Sequence, residues 1–114
     1  MTSLELVPGS VAWAVLEPVT GREQGGRRPV LVVSSAGYLD AVRTLVIVLP
    51  ITTTDRGWPN HIRVEGSSGL GRPSWIMTEQ PRTLSRERLT SISGEVSAEC
   101  LATVQVWMAD FLDI

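Results

Sequence analysis

The sequence predicts a small, mainly β fold in which one helix packs against a strongly bent sheet or barrel. Between residues 11 and 96, short apolar runs alternate with segments rich in glycine and proline, a pattern typical of strands and turns. After residue 97, apolar residues recur at steps of three and four, which is the spacing of one helix face. A set of strands followed by a helix favours a sheet that the helix covers.

The strands are predicted from runs of apolar and β-branched residues. A loop or short helical turn is expected at residues 35–43, and a helical turn at residues 83–89. Pro50 lies inside a long apolar run and predicts an edge position or a bulge, because proline cannot donate a ladder hydrogen bond. The predicted strands are residues 11–16, 29–34, 44–52, 61–64, 74–78 and 91–96.

The terminal helix is predicted to begin after Ser97, whose side chain can cap it, with Glu99 favoured in the first turn by the helix dipole. Cys100 lies in this first turn without a histidine nearby in the sequence, which predicts a buried, unreactive thiol. The predicted apolar stripe consists of Leu101, Val104, Trp107 or Met108, Phe111 and Leu112.

Composition limits the classes of function. A chain of 114 residues is the size of one domain, expected here to span residues 1–114. The net charge of −2 argues against a uniformly basic nucleic-acid binder but permits a local basic patch. One cysteine and one histidine exclude an internal disulfide and cysteine- or histidine-rich metal centres, so no metal or cofactor is expected. All 10 basic residues are arginine, which excludes lysine chemistry.

No membrane segment or signal peptide is expected. The chain contains no apolar run near the roughly 20 residues that a spanning helix needs. The N-terminal residues show no basic segment ahead of an apolar run. A cytoplasmic protein is therefore predicted.

The densest polar cluster is the sequence GREQGGRRP at residues 21–29, inside a long predicted loop. Its glycines allow close approach to a ligand, and the arginines offer planar forks that suit phosphate. Glu23 can serve as an ion-pair partner or as a general base. Taken alone, however, the pattern favours a solvated charged loop in which Glu23 and Arg28 form a structural ion pair.

Two further clusters follow predicted strands. Thr52, Thr53 and Thr54 end an apolar strand, where hydroxyls can orient a phosphate, although threonine also simply favours strands. The segment from Glu79 to Thr83 (EQPRT) follows another strand and is also consistent with an ordinary exit into a loop.

The histidine and the tryptophans have structural as well as functional interpretations. His61 is expected to be a surface residue of its strand. Trp58, close to Arg56, can stack on a nucleobase or plug a loop. Trp13 and Trp75 lie in apolar runs and are expected in the core, and Trp107 is assigned to core or dimer packing.

Together these clusters resemble the MazF/PemK family of bacterial toxin–antitoxin toxins. The resemblance covers residues 7–112 and rests on EQGGRRPVLVVS at residues 23–34, VLPITT at residues 48–53 and EQPRT at residues 79–83. It implies a CcdB/PemK-like, SH3-like barrel with a C-terminal α-helix, assembled as a homodimer. It also implies an endoribonuclease that cuts single-stranded RNA without a metal and is neutralised by a MazE-like antitoxin.

The resemblance assigns site residues one by one. Arg28 and Thr52 match the family's catalytic pair, and Glu23 matches a loop glutamate implicated in some members. Arg22 stands where the family usually has serine, and Pro81 where an aliphatic residue is usual. The residues expected to bind RNA are Arg22, Gln24, Gly25, Gly26, Arg27, Thr53, Arg56, Trp58, Gln80 and Arg82.

Two other functions stay open at this point. Related CcdB proteins share the fold and bind DNA gyrase without cleaving nucleic acid, and Trp107 and Met108 at the helix end are compatible with that role. A degenerate member that only binds its antitoxin or RNA is the second alternative, and Arg22 favours it. The complete set of Glu23, Arg28 and Thr52 favours the nuclease.

Overall fold

A computed structural model describes residues 5–16 and 26–114. The strands are β1 (Ser10–Val15), β2 (Arg27–Val32), β3 (Leu45–Thr52), β4 (His61–Arg63), β5 (Trp75–Met77), β6 (Arg82–Ser85) and β7 (Leu89–Glu95). The helices are α1 (Ala36–Ala41) and α2 (Ala98–Leu112), and a 3-10 turn at Arg86–Arg88 joins β6 to β7. Most of the loop predicted between β1 and β2 lies outside the described residues.

The strands form an antiparallel sheet in the order β4-β5-β3-β2-β1-β7, with β6 paired to β3. The predicted mainly β fold with a C-terminal helix is confirmed, but a closed barrel is not. Among the described residues no ladder joins β6 to β7, because the 3-10 turn carries the chain from the β3 edge to the β1 edge between them.

The prediction for Pro50 was right for one side of β3: the strand is interior, but its pairing on the side away from β2 is interrupted at residue 50. Pro50 is opposite Val30 of β2. On the other side of β3, the β6 ladder ends at Val48 and the β5 ladder begins at Ile51. A missing N–H at residue 50 therefore breaks no ladder bond on that side.

Alternate residues of β1–β3 pack into two separate cores. One face, called the inner face, carries Ala12, Ala14, Val30, Val32, Val46, Val48, Leu84 and Leu89, with Leu39 of α1. The other, called the helix face, carries Val11, Leu31, Leu49, Ile51 and Ile76 beneath Val96, Cys100 and Val104. Because both faces are covered, the strands have continuous rather than alternating apolar sequences.

The start of the terminal helix is confirmed. The Ser97 hydroxyl accepts a 3.1 Å hydrogen bond from the Cys100 N–H and caps α2. Val104, on the predicted stripe, is fully buried. Cys100 is also buried, and its burial raises the pKa of its thiol, as expected for an inert cysteine. The stripe does not continue to the helix end: Phe111 is 48% exposed and Leu112 54% exposed.

The predicted helical turn at residues 83–89 is only partly correct. Its first half is strand β6, which pairs with β3 from Leu45 to Val48, and only Arg86–Arg88 forms a 3-10 turn. The Arg86 guanidinium donates to the carbonyls of Leu39, Val42 and Leu45, which fixes this turn against the end of α1.

Candidate active site

The β2–β3 register brings two of the predicted catalytic residues together. The ladder ends with Val30 opposite Pro50, and the same register continued by two residues sets Arg28 opposite Thr52. Both residues alternate with the helix-face residues Leu31 and Ile51, so they share the inner face at the end of the sheet. Arg28 is exposed and Thr52 is half-buried, which leaves both reachable by a ligand.

The Thr52 side chain is held by its own loop. Its Oγ1 accepts a 3.1 Å hydrogen bond from the Thr54 N–H. A hydroxyl that accepts from a backbone N–H still has its own proton to donate. Thr52 can therefore donate to an oxygen of a bound phosphate, while Arg28 supplies positive charge.

The pairing of β3 with β5, and of β5 with β4, places two further residues beside Thr52 that were not predicted as site residues. Thr52 is opposite Trp75 of β5, and Trp75 is opposite Arg63 of β4. The Arg63 guanidinium carbon lies 5.9 Å from the centroid of the Trp75 ring. The core prediction for Trp75 was therefore wrong, because its side chain is only half-buried and stands beside a cation. The neighbours of Trp75 follow from the register of β3, β5 and β4, which the sequence does not specify.

The loop after Thr52 carries a second pairing of arginine with tryptophan. The Arg56 guanidinium carbon lies 5.9 Å from the Trp58 ring centroid, and Trp58 is 49% exposed. Asp55 shapes the loop by accepting a 3.0 Å hydrogen bond from the Gly57 N–H. Thr53 is exposed in the same loop. Three predicted RNA-binding residues thus follow Thr52 directly on a surface loop.

The surface position predicted for His61 was wrong. His61 is 7% exposed, and the Trp58 ring lies 4.7 Å from its imidazole. The Nε2 atom lies 3.1 Å from both carboxylate oxygens of Glu79. Among the described residues the buried Nδ1 atom has no hydrogen-bond partner, which favours the tautomer whose proton is on Nε2. Sequence alternation alone could not reveal this burial.

Glu79 is the centre of a small polar network. Asn60 Nδ2 donates to Glu79 Oε1 at 2.8 Å, and Gln80 Nε2 donates to Oε2 at 3.2 Å. Partial burial acts to raise the pKa of Glu79, but its hydrogen bonds with His61, its own backbone and Gln80 outweigh burial, and the pKa is lowered. Gln80, predicted to bind RNA, is exposed at the edge of this network.

Two predicted RNA-binding arginines have structural contacts. Arg82 Nη2 donates to the Leu16 carbonyl at 3.2 Å, at the point where β1 leads into the predicted loop. Arg27 lies over the Trp13 ring at 5.4 Å and donates to Ser91 Oγ at 3.4 Å. Strand alternation directs Arg27 and Arg28 to opposite faces. Trp13 is half-buried rather than a core residue.

Several predicted site residues cannot be placed. Arg22, Glu23, Gln24 and Gly25 lie outside the described residues, and Gly26 is exposed immediately before β2. In the described part of the chain, no three histidine, cysteine, aspartate or glutamate side chains converge as metal ligands. The helices in that part are all too short or too polar to cross a bilayer.

Solved structures share this architecture. A crystal structure of MazF from Deinococcus radiodurans is 30% identical and superposes with a TM-score of 0.78, over 96% of this chain and 97% of that one. A MazE–MazF crystal structure from the same organism is 29% identical, with a TM-score of 0.80 over 96% of each chain. The fold is thus that of a MazF-type toxin.

Sequence comparison leads to the same family. Residues 8–112 match the family described as PemK-like, MazF-like toxin of type II toxin–antitoxin systems. Endoribonuclease EndoA of Bacillus subtilis (strain 168) is 37% identical over 84 residues, which is 72% of each chain. This chain belongs to the PemK-like, MazF-like toxin family.

Proposed function

We propose that this chain, a MazF-like toxin endoribonuclease, cleaves single-stranded RNA at a site built around Arg28 and Thr52, without a metal ion. The observation that supports the proposal is the β2–β3 register: continued by two residues beyond the pair of Val30 and Pro50, it puts Arg28 beside Thr52 at an accessible end of the sheet. The whole chain, residues 1–114, acts as one catalytic domain.

RNA supplies its own nucleophile in this reaction. The ribose 2′-oxygen forms a bond to the adjacent phosphorus, the bond to the 5′-oxygen breaks, and a 2′,3′-cyclic phosphate and a 5′-hydroxyl end result. The enzyme must accept the 2′-proton, stabilise the charge that grows on the phosphate and protonate the leaving oxygen. No metal-bound water is required, because the nucleophile belongs to the substrate.

Each of these tasks is assigned to a residue of this chain. Arg28 stabilises the phosphate charge and assists proton transfer to the leaving 5′-oxygen, and Thr52 donates a hydrogen bond from its hydroxyl to a phosphate oxygen. Glu23 is the proposed base, although it lies outside the described residues. Arg22 in place of serine adds positive charge next to it and alters the rate or the sequence preference.

The arginine- and tryptophan-containing loop after Thr52 supports single-stranded RNA as the substrate. Unpaired bases can stack on an exposed ring such as Trp58, and Arg56 offers charge to the backbone. A local group of arginines can bind RNA although the net charge is −2. The remaining proposed RNA contacts are Arg22, Gln24, Gly25, Gly26, Arg27, Thr53, Gln80 and Arg82.

A MazE-like antitoxin is the proposed protein partner, and the cytoplasm is the proposed compartment. The Deinococcus radiodurans neighbour was crystallised with MazE. An antitoxin segment that covers Arg28 and Thr52 would exclude RNA directly. Antitoxin binding and RNA binding are therefore expected to compete.

A homodimer is the proposed assembly, and the end of α2 supports it. A cavity of about 350 Å³ is lined by Pro81, Met108, Phe111 and Leu112, with Thr78 and Glu79 at its polar side. Phe111 and Leu112, which line it, are about half exposed, and Ile114 beyond the helix is 89% exposed. A second copy that covers these side chains would remove them from water. A monomer at micromolar concentration would contradict this assembly.

The test is cleavage of a long single-stranded RNA by the purified protein in EDTA, with the ends mapped by primer extension. Cuts that disappear in Arg28→Ala and persist in Arg43→Ala, an exposed arginine at the end of α1, support the proposal. A folded wild-type protein that makes no cuts would favour a non-cleaving gyrase binder or an inactive member. An active Arg28→Ala protein would overturn the mechanism.

A further inference from the structure

One row of side chains crosses four strands at the level of the proposed catalytic pair. Thr52 on β3 is paired with Trp75 on β5, and Trp75 with Arg63 on β4. The β2–β3 register, continued by two residues beyond its last pair, adds Arg28 on the other side of Thr52. Residues directly opposite in antiparallel strands present their side chains on the same face. The residues that alternate with this row pack on the helix face: Ile51, Ile62 and Ile76.

Trp75 is placed for contact with a ligand rather than for core packing. The neighbouring core position Ile76 is fully buried, whereas Trp75 is half-buried between Arg63 and Thr52. Strands of a sheet lie about 4.8 Å apart, which puts Trp75 one spacing and Arg63 two spacings, about 10 Å, from Thr52. A ligand held at Thr52 therefore meets the indole next and the guanidinium beyond it.

Arg63 keeps its charge available to such a ligand. Its side chain is exposed, and its guanidinium lies beside the Trp75 ring. Within residues 5–16 and 26–114 it forms no ion pair with a carboxylate. A guanidinium without a carboxylate partner next to an aromatic ring is suited to a phosphate beside a stacked base.

We infer that Trp75 and Arg63 form a nucleotide subsite that binds the RNA residue next to the cleaved phosphate. Trp75 stacks on the base of that residue, and Arg63 contacts the phosphate beyond it. The subsite rests on the proposed function, because it is defined by its place beside Thr52. Stacking on an indole tolerates every base, so the subsite adds affinity and fixes the strand without selecting a sequence.

The test uses a short RNA that contains the mapped cleavage motif, made uncleavable by a 2′-deoxy substitution at the scissile nucleotide. Its affinity is measured for wild type, Trp75→Leu, Trp75→Phe and Arg63→Gln. Loss of one stacked base weakens binding by about 5- to 150-fold, so Trp75→Leu is expected in that range. Trp75→Phe keeps a stacking face and is expected to retain most of the affinity.

Matched controls separate a local contact from a general loss of charge or of an indole. Arg43→Gln removes the same charge as Arg63→Gln from an exposed arginine at the end of α1. Loss of one phosphate contact lowers the slope of log affinity against log salt by about 0.7 for a single strand, expected for Arg63→Gln and not for Arg43→Gln. Trp107→Phe on α2 is the tryptophan control.

An abasic nucleotide identifies which neighbour occupies the subsite. On the side of the cleavage point that the subsite binds, an abasic nucleotide is expected to weaken binding to wild type about as much as Trp75→Leu does. The same abasic RNA is expected to bind Trp75→Leu little more weakly than the intact RNA does. If an abasic nucleotide on either side of the cleavage point weakens binding to Trp75→Leu as much as it weakens binding to wild type, the subsite is overturned. A folded Trp75→Leu protein with wild-type affinity would overturn it too. If wild type cuts no RNA, the proposed function fails first. If only Arg28→Ala abolishes cleavage while Trp75→Leu binds normally, the nuclease stands without this subsite.

Discussion

The network around Glu79 makes a quantitative prediction about stability. The carboxylate accepts from Asn60 at 2.8 Å and from Gln80 at 3.2 Å, and it lies 3.1 Å from His61 Nε2 through both oxygens. Glu79→Gln keeps one acceptor oxygen and turns the other position into an NH₂ group that faces donors. A hydrogen bond to a charged group contributes about 1.5–3 kcal/mol. We expect Glu79→Gln to lower the free energy of unfolding by about that amount at pH 7.

The pH dependence identifies the cause of this loss. Because the pKa of folded Glu79 is lowered, its contribution is complete above the unfolded value near 4.5 and is lost as pH falls through the folded pKa. The stability gap between wild type and Glu79→Gln should therefore be present at pH 7 and shrink as the pH falls below the unfolded value near 4.5.

Thermal unfolding at several pH values measures this gap. At roughly 4 °C for each kcal/mol, the midpoint at pH 7 should fall by about 6–12 °C. Glu87→Gln on the exposed 3-10 turn is the matched control, because it removes the same charge. A gap that stays the same down to pH 3, or one equal to that of Glu87→Gln, would refute the reasoning.

Three further predictions concern the site, the core and the thiol. Thr52→Val should lower kcat by about 100-fold or more while Thr52→Ser retains most activity, because only serine keeps the donor hydroxyl; equal rates for valine and wild type in a cleavage assay would exclude a role for that hydroxyl. Val104→Ala, at a fully buried position of α2, should lower the free energy of unfolding in urea by about 2–3 kcal/mol, because two methyl groups are lost and a cavity remains. A loss below about 0.5 kcal/mol would contradict this packing. Cys100 should resist a thiol reagent until the protein unfolds, because it is buried and its pKa is raised, and fast labelling of the folded protein would show otherwise.

The fold was predictable where local chemistry and burial agree. Ser97 caps α2 through its own side chain, so four neighbouring residues were sufficient to locate the helix start. The apolar runs of β1–β3 identified strands because both faces of these strands are buried. Pro50 indicated an interruption of the pairing, but not that the interruption lies between two strands, β6 and β5, on one side of an interior strand.

The site was predictable only in part, for the same reason. Arg28 and Thr52 were predicted through the family's motifs and stay a proposal, which the β2–β3 register supports when it is continued by two residues. His61 and Trp75 were assigned wrongly because their surroundings come from segments distant in the sequence: Glu79 for the histidine, and Arg63 and Thr52 for the tryptophan. Strand alternation predicts a face but not the neighbours that cover it.

The order of strands in the sheet has a consequence for when this toxin can act. The row from Arg28 to Arg63 joins four strands, and β1 beside it is held on its other edge by β7, which ends at Glu95. Such long-range pairing forms late, because the chain must close large loops before any contact offsets their entropy. A growing chain that has not yet released β7 from the ribosome therefore lacks the finished sheet. Cleavage that depends on the complete row is therefore expected to begin only after residue 95 has left the ribosome, so a chain still short of β7 is expected to leave RNA uncut.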